Sequence, residues 1–308
     1  MARRLEEVTR GDIDAIRYDD LSFDGSHGHV GVTLFMPSIR QLGIKGEPEI
    51  ISPYSAGWGE GLGAARASCE GLVRSANVMA ATIEYPRKRV AVHEILQFRT
   101  EVFGEVIRHI RERTMYDWAT LVVAGYSRGT APARMATVEH ADVVDGVVLV
   151  APTWFSQQVK PRDLAARGLH ESARGMAQAG WLDRLTLVGA SVRLAQEMLA
   201  HPFELRNDIA AISQEGAVDL QDVLDTGVRV GVVAGRQDEL CQVDGIRTVV
   251  DRLPEPAAVM YREVDSDHFS YFLSPKPLKV VAEVVTALGD FGDEAEVGDE
   301  AQAEGSGA

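Results

Sequence analysis

Apolar residues along the chain fall into short unbroken runs separated by longer amphipathic stretches. Residues 49–54, 78–85, 119–125 and 143–151 are such apolar runs, the last two dominated by Val, Leu and Ala. Helical periodicity follows the first three. It is a Gly/Ala-rich pattern near 61–75, then 92–113 with Ile95, Phe98, Val102, Val106, Ile107 and Ile110 on one face, then 129–139. Continuous apolar strands that alternate with amphipathic helices predict a parallel sheet covered on both faces. Ahead of them, 15–23 and 30–36 flank Gly25-Ser26-His27-Gly28 and predict an antiparallel pair around a turn. The alternation stops between Pro152 and Gly227, where a helical pattern prevails apart from a strand-like run at 185–188. It resumes with a strand at 228–234, a helix at 243–252, a strand at 257–264 and a helix at 278–288.

The pattern therefore predicts an α/β core formed by residues 1–153 and 227–289, a helical insertion at 154–226, and a tail at 290–308. The tail has seven acids and no base, with almost nothing to bury, so disorder is expected there. It accounts for nearly half of the formal charge of −15 and leaves −8 for the rest. An acidic chain of this kind lacks the surplus of Lys and Arg that nucleic-acid binding requires. No apolar stretch reaches membrane-spanning length, and the opening Met1-Ala2-Arg3-Arg4-Leu5-Glu6-Glu7 has no apolar leader core. Cys69 and Cys241, the only cysteines, are too few for a disulfide framework and form no Cys-x-x-Cys pair. The expectation is a soluble cytoplasmic protein without membrane or nucleic-acid partners.

Val122-Val123-Ala124-Gly125-Tyr126-Ser127-Arg128-Gly129 sets a Gly-x-Ser-x-Gly between an apolar strand and a helix. A strand-to-helix turn this sharp strains its middle residue, and glycines on either side avoid collisions with neighbouring elements. Ser127 would present its hydroxyl at a helix N-terminus, where backbone N–H groups favour developing negative charge. A serine hydroxyl is a weak nucleophile at neutral pH, so a histidine must take its proton and an anion must orient that histidine. Gly235-Arg236-Gln237-Asp238 follows the strand at 228–234, and Asp265-Ser266-Asp267-His268-Phe269 follows the last strand. Side chains beyond the carboxyl ends of parallel strands converge on one edge.

With these three motifs in the order serine, acid, histidine, the chain resembles the α/β-hydrolase superfamily over roughly residues 15–288. The resemblance implies a mostly parallel sheet with an antiparallel N-terminal strand pair, helices on both faces and a helical lid insertion. It also implies a serine esterase or thioesterase acting on a small acyl substrate, with Ser127, Asp238 and His268 as catalytic triad and no cofactor or metal. Glu239, Asp265 and Asp267 remain rivals for the acid. For the oxyanion hole it implies the N–H of Arg128 and a second donor from Ser55-Ala56-Gly57-Trp58-Gly59-Glu60-Gly61. The superfamily often has His-Gly there and this chain has Ala56-Gly57, so Gly57 and Trp58 are both candidates. The same triad would serve an acyltransferase if the pocket excluded water, and an inactive relative could act as a ligand receptor.

A competing reading rests on Gly59-Glu60-Gly61-Leu62-Gly63-Ala64, which fits a dinucleotide-binding fingerprint with Glu84 at the end of the next strand. The antiparallel pair that precedes the supposed first strand argues against it. His27-Gly28-His29 lacks a third donor for a metal and reads as an exposed turn. The segment 154–206 carries seven bases against five acids, and Arg87-Lys88-Arg89 follows a strand's carboxyl end. The plainer reading is that these bases pair with surface acids; the alternative is that they steer an anionic substrate such as an acyl thioester.

Overall fold

In the computed structural model, which describes residues 14–56, 62–86, 90–112, 118–153, 170, 220–271 and 274–290, the apolar runs form one mixed sheet. The strands are β1 (Arg17–Asp20), β2 (Phe23–Gly25), β3 (Gly28–Met36), β4 (Ile50–Ser55), β5 (Val78–Glu84), β6 (Thr120–Tyr126), β7 (Gly146–Val150), β8 (Arg229–Gly235) and β9 (Val259–Val264). The helices between them are α1 (Ile39–Lys45), α2 (Leu62–Ser75), α3 (Ile95–Glu112), α4 (Thr130–Glu139), α5 (Leu220–Leu224), α6 (Val243–Asp251) and α7 (Pro275–Gly289). The strand order is β1-β3-β5-β4-β6-β7-β8-β9, with β2 paired to β3. From β5 through β9 every pairing is parallel, whereas β3 runs antiparallel to β1, β2 and β5.

Central strands explain the unbroken apolar runs. All residues of β4 and of β7 are buried, because helices cover both sides of them. A Cβ added at Gly125 in β6 would meet Ala133 of α4, and one added at Gly231 in β8 would meet Val284 of α7. The register places those two positions on opposite faces, so α4 and α7 sandwich the sheet. At the edge, β9 buries only its terminal residues Val259 and Val264. Charge guards this exposed strand, where Glu263 takes ion pairs from Arg236 and Arg247.

Several local features depart from the sequence expectation. The first strand is two, β1 and β2, broken at Leu21-Ser22. Leu21 is fully buried, and the Ser22 hydroxyl accepts the Val32 N–H at 3.0 Å while donating to Asp20 Oδ1 at 2.5 Å. The expected turn is exposed at Ser26, Gly28 and His29, but the His27 side chain is half-buried. Its ring packs edge-on against Phe98 and its Nε2 lies 2.7 Å from Glu101, which pins the hairpin to α3. α1, which no apolar periodicity announces, is held by a capping box between Ser38 and Gln41 and buries none of its residues. The dinucleotide reading fails on topology. The position beside β5 that a third parallel strand would take is filled by antiparallel β3.

Most of the expected insertion, including 185–188, lies outside the described residues, as do Arg87-Lys88-Arg89 and the tail beyond Asp290. α5 falls within the span assigned to the insertion, yet it buries Leu220 and Val223. Among the described residues no helix is long and apolar enough to cross a membrane.

Candidate active site

β6 delivers Ser127 through a turn of the predicted kind. Ser127 has φ of 50°, a left-handed backbone that costs a non-glycine residue about 1–2 kcal/mol. Neighbouring packing enforces that strain. A Cβ on Gly125 would sit 2.7 Å from the Gly129 carbonyl oxygen and 2.8 Å from the Thr130 Cα, and one on Gly129 would strike the Ser55 and Ala56 carbonyls at the end of β4. Both glycines are therefore demanded by close approach, and α4 can start one 3₁₀ turn after the strand ends. The Thr130 hydroxyl donates to the Ser127 carbonyl at 2.6 Å and holds the turn shut.

The acid and the histidine meet because β8 and β9 are parallel neighbours that end in register. Gly235 pairs with Val264, and the loops beyond continue the pairing through Arg236 N–H to the Val264 carbonyl and Gln237 N–H to the Ser266 carbonyl. Asp238 and His268 emerge side by side. His268 Nδ1 lies 2.9 Å from Asp238 Oδ2, and His268 Nε2 lies 2.8 Å from Ser127 Oγ. All three residues are at most 5% exposed. An ionised carboxylate can only accept, so it takes the Nδ1 proton and leaves Nε2 as the acceptor for the serine hydroxyl. Asp238 Oδ1 in turn accepts the N–H groups of Leu240 at 2.9 Å and Cys241 at 2.6 Å. The order of bonds is serine to imidazole to carboxylate to backbone, each donor matched by an acceptor.

The rival acids are engaged elsewhere. Asp267 Oδ1 accepts the Phe269 N–H at 3.0 Å within its own loop, Asp265 accepts from the Gln237 side chain at 2.5 Å, and Glu239 lies 3.1 Å from His170 Nδ1. Arg128, the expected first oxyanion donor, sits buried in the 3₁₀ turn Ser127–Gly129. Gly57 and Trp58 lie outside the described residues.

Two tyrosines complete the cluster, and sequence reasoning missed both. Tyr126, the variable position of the Gly-x-Ser-x-Gly motif, donates its hydroxyl to the His268 backbone carbonyl, and its ring centre lies 5.3 Å from the imidazole. It ties the serine turn to a loop 142 residues away. Tyr271 lies fully buried with its hydroxyl 3.5 Å from Asp238 Oδ2. Burial, reinforced by the Asp238 carboxylate, pushes that hydroxyl well above the usual tyrosine range and keeps it a donor. Spacing alone carries no signal for either role.

No protein-family model matches the chain, and no curated protein matches it by sequence. Solved structures do match. An esterase of the archaeon Pyrobaculum calidifontis is 14% identical, with a TM-score of 0.56 over 89% of this chain and 85% of that one. A Pyrococcus furiosus esterase is 16% identical, with a TM-score of 0.54 over 93% and 98%. The 2-hydroxy-6-oxo-6-phenylhexa-2,4-dienoate hydrolase of a Rhodococcus species is 15% identical, with a TM-score of 0.59 over 89% and 99%. Identities this low speak to architecture, and together with the strand order they show that the chain has the α/β-hydrolase fold.

Proposed function

We propose that the protein is a serine hydrolase that cleaves a carboxylic ester or thioester through an acyl-enzyme. The observation that carries this reading is the buried chain of hydrogen bonds from Ser127 through His268 to Asp238. Two of the matched structures are esterases by name and a third is a hydrolase, which agrees with it.

In this reading Ser127 Oγ attacks the acyl carbon while His268 Nε2 takes its proton. Asp238 holds the Nδ1 proton and stabilises the imidazolium, and its own orientation is fixed by the Leu240 and Cys241 N–H groups. Charge that develops on the carbonyl oxygen would be met by the Arg128 N–H together with a donor from Gly57 or Trp58. His268 then returns the proton to the departing alcohol or thiol. A water molecule repeats the sequence on the acyl-enzyme, losing its proton to His268 and releasing the acid and a free Ser127.

Initial rates on matched panels of aryl esters, alkyl esters, thioesters and amides test this assignment. Turnover of esters or thioesters is expected, with amides slower. A folded protein that turns over none of these classes would overturn it.

A further inference from the structure

We propose that Asp238, Cys241 and His268 form a binding site for a thiophilic divalent cation of the zinc class, and that occupancy of this site switches the catalytic histidine off. The inhibitory half of this statement rests on the hydrolase reading above; the metal-binding half does not.

Cys241 has no part in the reaction steps, yet it lies against them. One oxygen of Asp238, one ring nitrogen of His268 and the Cys241 sulfur all lie within 4.8 Å of one another. The loop brings them together: the Cys241 backbone N–H donates to Asp238 Oδ1 at 2.6 Å, three residues earlier. All three side chains belong to buried residues, and Cys241 is not in a disulfide. One sulfur, one imidazole nitrogen and one carboxylate oxygen make up a zinc-type donor set, whereas magnesium and calcium select oxygen ligands. Zinc bonds of about 2.0–2.3 Å in a tetrahedron set ligand atoms roughly 3.3–3.8 Å apart, so the sulfur has to close in by at most about 1 Å while the His268–Asp238 pair, now 2.9 Å apart, opens by a few tenths of an ångström. A water molecule would complete the four.

The nitrogen that faces Asp238 is Nδ1, and the ion would take the place of the proton it now shares with that carboxylate across 2.9 Å. Protons balance as follows. The Cys241 thiol releases its proton to solvent on forming the sulfur–metal bond, and the single proton of the neutral imidazole moves to Nε2 when the metal takes Nδ1. Nε2 thereby changes from acceptor to donor and can no longer accept the Ser127 proton. Metal binding and general-base catalysis exclude each other through one tautomer.

The test uses the tag-free full-length chain, stripped of metals and kept reduced. Cobalt(II), a spectroscopic stand-in for zinc, should give a thiolate-to-cobalt charge-transfer band that saturates near one equivalent and is displaced by zinc. The band should persist in Cys69→Ser and vanish in Cys241→Ser and Cys241→Ala, with folding of each variant checked by circular dichroism. Loss of a mere supporting contact can cost about 10–100-fold in metal affinity, so loss of the thiol should raise the zinc concentration for half-inhibition of ester turnover at least about tenfold. A chelator should restore the wild-type rate. Absence of the band in folded wild-type protein, its survival in both Cys241 variants, or equal zinc sensitivity of wild type and variants would overturn the proposal. The cobalt spectrum is read without any substrate, so a negative result in the ester panel would leave the metal-binding test intact.

Discussion

Two polar regions lie towards the carboxyl ends of the sheet strands, and they are built in opposite ways. Around Ser127, His268 and Asp238 every functional side-chain atom has a partner, at distances from 2.6 to 2.9 Å, and the residues are buried to 5% exposure or less. On the antiparallel wing a cavity of about 430 Å³ is lined by residues that include Asp20, Thr33, Arg66, Thr82 and Glu84. There the Thr82 hydroxyl is buried to 1% exposure and has no hydrogen-bond partner. A cavity with charged walls invites a functional reading. The contrast shows why the reading belongs to the other region, because a proton can be passed only along a chain in which each donor meets an acceptor. Among its described residues the wing cavity bonds the Ser22 hydroxyl directly to Asp20, with no imidazole between hydroxyl and carboxylate to take a proton.

Substitutions can break or sharpen this contrast. Ser127→Ala should have the largest effect, lowering ester turnover on the order of 10⁴-fold or more with little change in melting temperature, because it removes the nucleophile from a turn that packing holds in place. Asp238→Asn should lower turnover on the order of 10³- to 10⁴-fold by favouring the wrong imidazole tautomer. Asp267→Asn and Asp265→Asn, whose carboxylates bond to other groups, should each cost about tenfold or less, measured on the same ester at one pH. An Asp267→Asn effect as large as that of Asp238→Asn would remove Asp238 from its place in the hydrogen-bond chain.

Tyr126→Phe comes next. It deprives the buried His268 carbonyl of its donor, which should destabilise the protein by about 1–3 kcal/mol and lower kcat more than it raises KM, since the histidine loop loses its tie to the serine turn. Denaturant melts and steady-state kinetics on the same preparation separate the two effects. Thr82→Val should do the least. Removing an unpartnered buried hydroxyl should leave turnover unchanged and raise stability by up to about 1 kcal/mol. A fall in turnover of tenfold or more would show that the wing cavity takes part in the reaction.

How much of this was legible in the sequence follows from the range of the interactions. The central strands could be read because strands buried on both faces are apolar at every position, as in Gly146–Val150. The serine turn could be read because Gly125 and Gly129 are forced by contacts within a few residues or with the adjoining strand. Asp238 and His268 could be placed by strand order, since each follows directly on a strand of the parallel set. What stayed hidden depends on side chains that meet across the fold. Tyr126 reaches a carbonyl 142 residues away, and the Cys241 sulfur lies within 4.8 Å of a ring nitrogen of His268 in a loop whose backbone N–H bonds Asp238. The turn's exposure is local, but the half-buried side chain of His27 within it is not legible, because its partners Phe98 and Glu101 lie on a distant helix. α1 carried a local capping signal at Ser38 and Gln41 but no buried face, so periodicity passed over it.

The central claim is that Ser127 is a nucleophile activated by His268, and covalent trapping tests it most directly. The folded protein is treated with a fluorophosphonate, and the adduct is counted by intact mass and located by peptide mapping. The account predicts one adduct per chain, on Ser127, abolished in Ser127→Ala and strongly slowed in His268→Ala. An adduct on another residue, or undiminished labelling in Ser127→Ala, would contradict it.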